Sequence, residues 1–173
     1  MKLQLFILFI ALNSILFAQT ETEHFIFQPA KGGGTLITPK EKTNEILKKG
    51  EATLDWLGYD KEIPWHKDVY VKPFQEMINQ HIFSSTRMNE LKKNANIRIC
   101  PYFDESGIIK YVEFWLPTNV TTSLTDKELY AIYQAYMGIK YDISFCKAYN
   151  DKGIVTQFYC SDFFEIPFED LKY

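Results

Sequence analysis

The chain has 173 residues, of which 46% are hydrophobic and 24% are charged, and its formal net charge at pH 7 is −3. This length suits one compact domain with a real core and is short for two. Binding to a phosphate backbone needs clustered Lys and Arg, whereas the basic doublets here are only Lys48-Lys49 and Lys92-Lys93. The composition therefore argues against nucleic acid as a partner.

The N-terminus has the order of a secretory signal peptide. Lys2 precedes an apolar run from Leu3 to Phe17, and the small residue Ala18 follows. The run is shorter than the roughly 20 apolar residues of a membrane-spanning helix. We expect residues 1–18 to be cleaved as a signal peptide, so that the mature protein is periplasmic or secreted and has no stable membrane span. An uncleaved N-terminal anchor is the alternative, because Leu16 stands where a signal usually carries a small residue.

The chain contains three cysteines, Cys100, Cys146 and Cys160. Exported proteins meet an oxidising compartment, but three cysteines cannot all pair within one chain. The sequence leaves open one disulfide or three buried free thiols. No CxxC or HxxxH spacing occurs, so we expect neither a metal site nor a cofactor.

Residues 19–64 are the least regular part and are predicted to form an N-terminal arm. The motif "KGGGT" separates "HFIFQP" from "LITP", which predicts a flexible loop between two extended pieces. The following "KTNEILKKGEATLDWLG" is a possible helix that ends near Gly58.

A helix is predicted to begin near Pro73, a residue tolerated in the first helical turn. One apolar stripe follows at helical spacing: Phe74, Met77, Ile78, His81 and Ile82. His81 on this stripe could be a ligand or a general base, but a histidine in such a place is more often a satisfied core residue.

The stretch "NIRICPYFDESGIIKYVEFWLP", residues 96–117, predicts a β-hairpin in which Gly107 takes a left-handed conformation in the turn. With Asp104 opposite Ile108, Cys100 faces Val112 and Ile99 faces Glu113. The two faces are then Ile97, Ile99, Phe103, Ile109 and Trp115 on one side, and Cys100, Val112, Phe114 and Leu116 on the other. Both faces are mostly apolar, so each should be covered.

The strongest local signal is "SLTDKEL", in which Thr125 and Glu128 have the spacing of a capping box. A final antiparallel pair is expected around the turn Asn150 to Gly153. The sequence therefore predicts a single α+β domain over residues 65–173, in which an antiparallel sheet of two hairpins carries helices on one face.

From about Pro73 to Phe168, the chain resembles the C-terminal domain of TonB-like envelope proteins. The resemblance rests on the hairpin "IRICPYFDESGIIKYVEFWL", the helix "LTDKELYAIYQAYMGIKYD" and the closing strand "IVTQFYCSDFF". It implies the order helix, hairpin, helix, strand, and a last strand that docks another protein at the sheet edge.

That docking edge corresponds to Ile154 to Phe164, where the expected partner-binding residues are Val155, Gln157, Tyr159 and Ser161. An unpaired edge offers backbone donors and acceptors, and its alternating side chains give selectivity. The other possibility is that "HFIFQP" or "LITP" covers this edge.

The leading hypothesis is an exported, non-enzymatic module that binds a protein partner. An inhibitor or immunity protein against an envelope toxin is one version of it. The alternative is a small envelope hydrolase that uses His24, His66 or His81 with an acidic residue. The sequence contains neither GxSxG nor HExxH, so we expect no catalytic residues.

Overall fold

The computed structural model describes residues 20–41, 44–56 and 65–173. The predicted signal peptide, residues 1–18, lies outside these ranges, and so does the helix end expected near Gly58. The strands are β1 (Thr20–Glu21), β2 (Phe25–Pro29), β3 (Thr35–Pro39), β4 (Thr53–Trp56), β5 (Arg98–Asp104), β6 (Ile109–Leu116), β7 (Cys146–Asn150), β8 (Gly153–Ile154), β9 (Tyr159–Ser161) and β10 (Phe164–Glu165). The α-helices are α1 (Lys72–Asn79), α2 (Ser85–Asn94) and α3 (Asp126–Tyr136), with a π-helix at His66–Val71 and 3-10 helices at Asn44–Lys48 and Phe168–Asp170.

The fold is α+β, as the sequence predicts, but the strands form two sheets. The main sheet has the order β1-β2-β3-β6-β5-β10, and β9 also pairs with β5. The small sheet has the order β4-β7-β8. The two expected hairpins, β5–β6 and β7–β8, therefore lie in different sheets, because β7 pairs with β4 rather than with the main sheet.

Residues predicted as an N-terminal arm are built into both sheets. The glycine-containing turn joins the extended pieces β2 and β3, and β3 pairs with β6. Within the described part of the segment from residue 42 that was predicted as a possible helix, the structure has a 3-10 helix at Asn44–Lys48 followed by strand β4. The prediction of one helix is wrong at β4, because Thr53–Trp56 pairs along its length with β7.

The β5–β6 hairpin differs from the predicted register by one residue. Its turn is as expected: Gly107 has φ 79°, and the Asp104 N–H donates to the Ile108 carbonyl over 3.1 Å. A bulge then shifts the register between Tyr102 and Phe103, so that Cys100 lies opposite Glu113. The extra residue on the β6 side is Lys110, since Tyr102 pairs with Tyr111 whereas Phe103 pairs with Ile109.

The corrected register sorts the hairpin into two chemically different faces. The core face carries Ile97, Ile99, Phe103, Ile109, Val112, Phe114 and Leu116, all of them buried. The outer face carries Arg98, Cys100, Tyr102, Tyr111, Glu113 and Trp115. The predicted partition is therefore wrong for Trp115, Val112, Phe114 and Leu116, which exchange faces.

Helices and aromatic rings cover the core face. Tyr133 and Phe114 each meet the ring of Phe25 edge-on, with the rings' centroids 6.4 and 5.7 Å from its own. Tyr136 contacts Phe74 of α1 and Phe164 of β10. These contacts lock α1 and α3 onto one side of the main sheet.

The outer face is covered near the β5–β6 turn. The 3-10 helix Asn44–Lys48 packs against β5 and β6, and its Ile46 is buried outside the main core cluster. Glu113 on this face is only 8% exposed, and it accepts hydrogen bonds from the hydroxyls of Tyr102 (2.8 Å) and Tyr111 (3.0 Å). The buried carboxylate is therefore satisfied by two neutral donors.

Helix α1 ends earlier than the stripe predicts. His81 has φ 58°, and the Ile82 N–H donates to the Met77 carbonyl over 2.9 Å, as in a left-handed helix terminus. His81 and Ile82 are exposed, whereas Phe74, Met77 and Ile78 are buried. The expectation of a buried His81 is wrong, because this residue terminates the helix rather than continuing its apolar face.

Helix α3 begins with the predicted capping box. The Thr125 hydroxyl accepts the Glu128 N–H, and the Glu128 carboxylate accepts the Thr125 N–H. Glu128 is also paired with Arg87 through Nε–Oε1 (2.6 Å) and Nη2–Oε2 (2.9 Å) contacts. One carboxylate thus caps α3 and ties it to α2.

The Glu128 carboxylate should make stability depend on pH. Burial raises the pKa of Glu128, but the hydrogen bonds from Arg87 and Thr125 outweigh this and leave the pKa below its ordinary 4.5. The ionised group therefore stabilises the fold above that ordinary value, and this contribution is lost as pH falls through the folded-state pKa. We expect Glu128→Gln to lower the free energy of unfolding by about 1–3 kcal/mol at pH 7 and by less at pH 3.5.

Urea unfolding at both pH values measures this difference. Glu90→Gln is the matched control, since Glu90 contacts the same guanidinium but its side chain is 59% exposed. Its effect should stay below about 1 kcal/mol. Equal losses for Glu128→Gln at the two pH values would show that ionisation of this carboxylate is not the source of the stabilisation.

Candidate functional site

The four predicted partner-binding residues lie in two different places. Val155 and Gln157 follow β8 in the small sheet, and the Val155 N–H donates to the Ala148 carbonyl over 3.0 Å. Tyr159 and Ser161 belong to β9, which pairs with β5 of the main sheet. The range Ile154 to Phe164 is thus not one strand: a bend and the buried Phe158 separate β8 from β9, and residues 162–163 separate β9 from β10.

The outer edge of β9 is already paired. The Tyr159 N–H donates to the Gly50 carbonyl (3.0 Å), and the Tyr159 carbonyl accepts the Ala52 N–H (2.9 Å). The Ser161 hydroxyl also reaches Glu51 Oε1 over 3.3 Å. Residues 50–52 therefore cover this edge, whereas "HFIFQP" and "LITP" form β2 and β3 on the opposite side of β6.

An open edge exists at β8, which ends the small sheet. We call residues 153–157 the edge segment; all of them are exposed except the half-buried Val155. β8 pairs with β7: Gly153 lies opposite Asn150, and the Val155 N–H donates to the Ala148 carbonyl. Antiparallel strands alternate their hydrogen-bonding sides, so the N–H and C=O of Ile154 point away from β7. Within the described residues, no strand pairs with this side of β8.

A groove of about 350 Å³ runs beside the edge segment. Its apolar lining comes from Leu54, Ile143, Ala148, Ile154, Val155 and Phe158. Charges of both signs border it, from Glu105, Lys140, Asp142 and Lys147. Ile154 is 68% exposed beside this groove, so a large apolar side chain stands at an unpaired backbone edge.

Cys146 also lines the groove and is half-buried. Burial, with Asp142 and Asp55 nearby, raises the pKa of its thiol. All three cysteines are free, as one of the two alternatives left by the sequence has it, but only Cys160 is buried, whereas Cys100 and Cys146 are half-buried. Cys146 is consequently a neutral thiol in this groove at neutral pH.

The three histidines lie in different parts of the fold. His24 of the β1–β2 connection contacts Asp126 at the start of α3, and His66 Nε2 lies 3.0 Å from Asp170 Oδ2. His81 follows α1. Among the described residues, the hydrogen bonds of the imidazole rings go to carboxylates and none goes to a Ser, Thr or Cys side chain.

His24, Glu23 and Asp126 also bring potential metal ligand atoms within 4.8 Å of one another. The Asp126 carboxylate is already occupied, since it accepts hydrogen bonds from the Thr22 hydroxyl and from the His24 N–H and ring. His24 is stacked on Tyr130 with 3.9 Å between ring centroids. These contacts hold the β1–β2 connection against the start of α3, and this structural role accounts for the cluster.

Sequence reasoning missed the pairing of residues 50–52 with β9. It also missed the apolar lining of the groove, to which Leu54, Ala148 and Phe158 contribute. Both join residues that lie far apart in the chain, and no local motif reports such contacts. The hairpin that carries the open edge was predicted from its turn at residues 150–153.

Within the described residues, none of the helices has both the length and the apolar character needed to span a membrane. No protein-family model matches the sequence. No curated protein matches it either. The fold is similar to the crystal structure of a DUF5043 family protein from Bacteroides uniformis, with 14% identity, a TM-score of 0.44, and coverage of 86% of this chain and 85% of that chain.

The groove predicts an order of thiol reactivity. Iodoacetamide at pH 8 should label Cys146 about tenfold or more faster than Cys160, because Cys146 lines an open groove whereas Cys160 is 3% exposed and its pKa is raised to about 12 by burial and by Glu51. Peptide mass mapping at successive times measures both rates. In denaturing urea the rates should converge; faster labelling of Cys160 in the folded protein would contradict this geometry.

Proposed function

We propose that this chain is an exported, non-enzymatic module that binds a protein partner by adding a strand of that partner to the edge segment, residues 153–157. One observation carries the proposal: among the described residues, no strand pairs with the outer side of β8, and Ile154 in this strand is 68% exposed. A free edge supplies affinity through backbone hydrogen bonds that do not depend on the partner's sequence.

The groove supplies selectivity. A strand that pairs with the edge segment directs alternate side chains to the two faces of the small sheet. Side chains on the groove side meet the apolar floor around Leu54, Ala148 and Phe158. The bordering Lys140, Lys147, Asp142 and Glu105 favour a segment with an apolar centre and charges of both signs at its ends.

Two features suit the edge segment to this role. It follows a tight turn whose Lys152 N–H donates to the Asn150 side chain over 2.9 Å, so the end of the hairpin is preorganised. It also lies in the small sheet, outside the strand pairs that build the main core. A partner can therefore add a strand without breaking an existing pair.

Export is part of the proposal and rests on the residue pattern of positions 1–18. The non-enzymatic assignment is supported by the imidazole hydrogen bonds of the described part of the chain, which go to carboxylates and not to a nucleophile.

The test compares Ile154→Pro with wild type. Proline removes the outward N–H of Ile154 and leaves the Val155-to-Ala148 hydrogen bond in place. Proteins from a source-cell envelope extract that bind the immobilised mature chain should bind Ile154→Pro about tenfold or more weakly, as quantified by mass spectrometry.

Ile82→Asp is the matched control, since Ile82 is also an exposed isoleucine, 47% accessible, but follows α1. It should retain the partner. The purified partner should also slow alkylation of Cys146 and hydrogen exchange of the Ile154 amide. A partner held equally by wild type and by a folded Ile154→Pro, without protection of Cys146, would eliminate the edge mechanism.

A further inference from the structure

A second groove, of about 450 Å³, lies where the ends of β1, β2, β3 and β6 meet the loop before α3. We call it the threonine groove. Apolar side chains such as Phe27 and Leu124 line it together with four threonines: Thr20, Thr35, Thr121 and Thr122. None of the described residues that line it is charged, so the threonine groove suits a neutral group.

Strand β1 begins at this groove. Thr20 lies opposite Phe27 in the antiparallel pair with β2, and Glu21 lies opposite Ile26. Both residues of the first pair line the threonine groove, and so does Gln28, the residue of β2 that comes next in this register. The residue that precedes Thr20 in the sequence is therefore joined to the sheet at the threonine groove.

That residue is Gln19, and the expected cleavage after Ala18 makes it the first residue of the mature chain. A glutamine at a chain terminus can cyclise: its α-amino nitrogen attacks the side-chain carbonyl carbon, a C–N bond forms, and the side-chain amide nitrogen leaves as ammonia with the proton that the amine releases. The product is a lactam ring, pyroglutamate, and the reaction needs no oxidant, reductant or second substrate. Like acetylation, it removes the positive charge of the terminus.

The threonine groove favours such a lactam over a free ammonium group. Burial of an unpaired charge is costly, and no carboxylate of the described chain lines the groove. Glu21 of β1 is paired with Lys40 over 3.1 Å. The lactam is neutral and offers one N–H donor and one carbonyl acceptor, and threonine hydroxyls both donate and accept hydrogen bonds. Its ring carbons match the apolar side chains of Phe27 and Leu124.

Strand β1 also needs an attachment at its start. It is two residues long, both residues are exposed, and it stands at the end of the strand order of the main sheet. Segments next to a chain terminus are poorly ordered unless something ties them down. A neutral ring packed in the threonine groove would hold the start of β1 in place, and the loss of the free amine would protect the exported chain from aminopeptidases.

We propose that Gln19 is converted to pyroglutamate after cleavage of the signal peptide, and that the threonine groove holds the resulting lactam against the main sheet. Gln19 is then a modification site, and the groove is a docking site for the first residue of the same chain. The inference rests on the export part of the proposed function and is independent of the edge segment.

Mass spectrometry of the protein exported by the source cell tests the modification. We expect the N-terminal peptide to begin at residue 19 and to weigh one ammonia less than the encoded sequence, whereas an unmodified synthetic peptide carried through the same preparation should keep its mass. Gln19→Asn is the matched control, because its shorter side chain would have to close a strained ring; it should keep a free amine. An unmodified Gln19 at the terminus overturns the inference and leaves export standing, whereas retention of residues 1–18 overturns both.

Hydrogen exchange tests the docking. The amides of residues 20–29 should exchange about threefold or more slowly in the cyclised wild type than in Gln19→Asn. Thr121→Arg places a charge in the threonine groove and should remove this protection, whereas Thr118→Arg, an exposed position of the same loop outside the groove lining, should keep it. Equal exchange in the wild type and Gln19→Asn, or protection that survives Thr121→Arg, would rule the docking out. Ile154→Pro should change neither result, so this inference and the edge mechanism fail separately.

Discussion

The β-bulge in the β5–β6 hairpin is the constraint on which the rest of the structure depends. Lys110 is the extra residue, and the one-residue shift directs Val112, Phe114 and Leu116 to the core while Glu113 faces outward. In the turn before the bulge, Gly107 packs directly against the backbone of Tyr141. A Cβ at this position would lie 2.2 Å from the Tyr141 carbonyl oxygen, so the contact requires glycine. The chain after α3 is thereby held against this turn, and Tyr141 is positioned to bind Asp162.

Pairing across long sequence distances then divides the strands between two sheets. Residues 50–52 bond to Tyr159, so the chain between the 3-10 helix and β4 occupies the edge of β9. β4 continues from there into the small sheet and pairs with β7. The edge of β9 is covered by the same segment that leads into the small sheet. Within the described residues, β8 at the far side of the small sheet keeps one unpaired side.

Local signals in the sequence predicted local structure well. The capping box of Thr125 and Glu128, the left-handed Gly107 and the turn at residues 150–153 are all present, because each depends on neighbouring residues. The bulge was not predictable, since "IIKYVEFWL" is apolar enough to place either alternate set of residues inward. Of the candidate site, Val155 and Gln157 fall on the open edge, whereas Tyr159 and Ser161 are paired by residues about 110 positions earlier, a contact that no local motif encodes.

An open edge is an aggregation hazard unless it is short or interrupted. β8 is two residues long, begins at Gly153 with φ 112°, and follows the charged turn residues Asp151 and Lys152. A long, flat strand of another copy could form few consecutive backbone hydrogen bonds with β8, so this edge does not favour the continued strand addition that builds fibrils. A short extended segment needs only the outward N–H and C=O of Ile154 and the adjoining groove. The same shortness limits self-association, and under the proposed function it makes side-chain fit in the groove, rather than backbone pairing alone, the main determinant of partner choice.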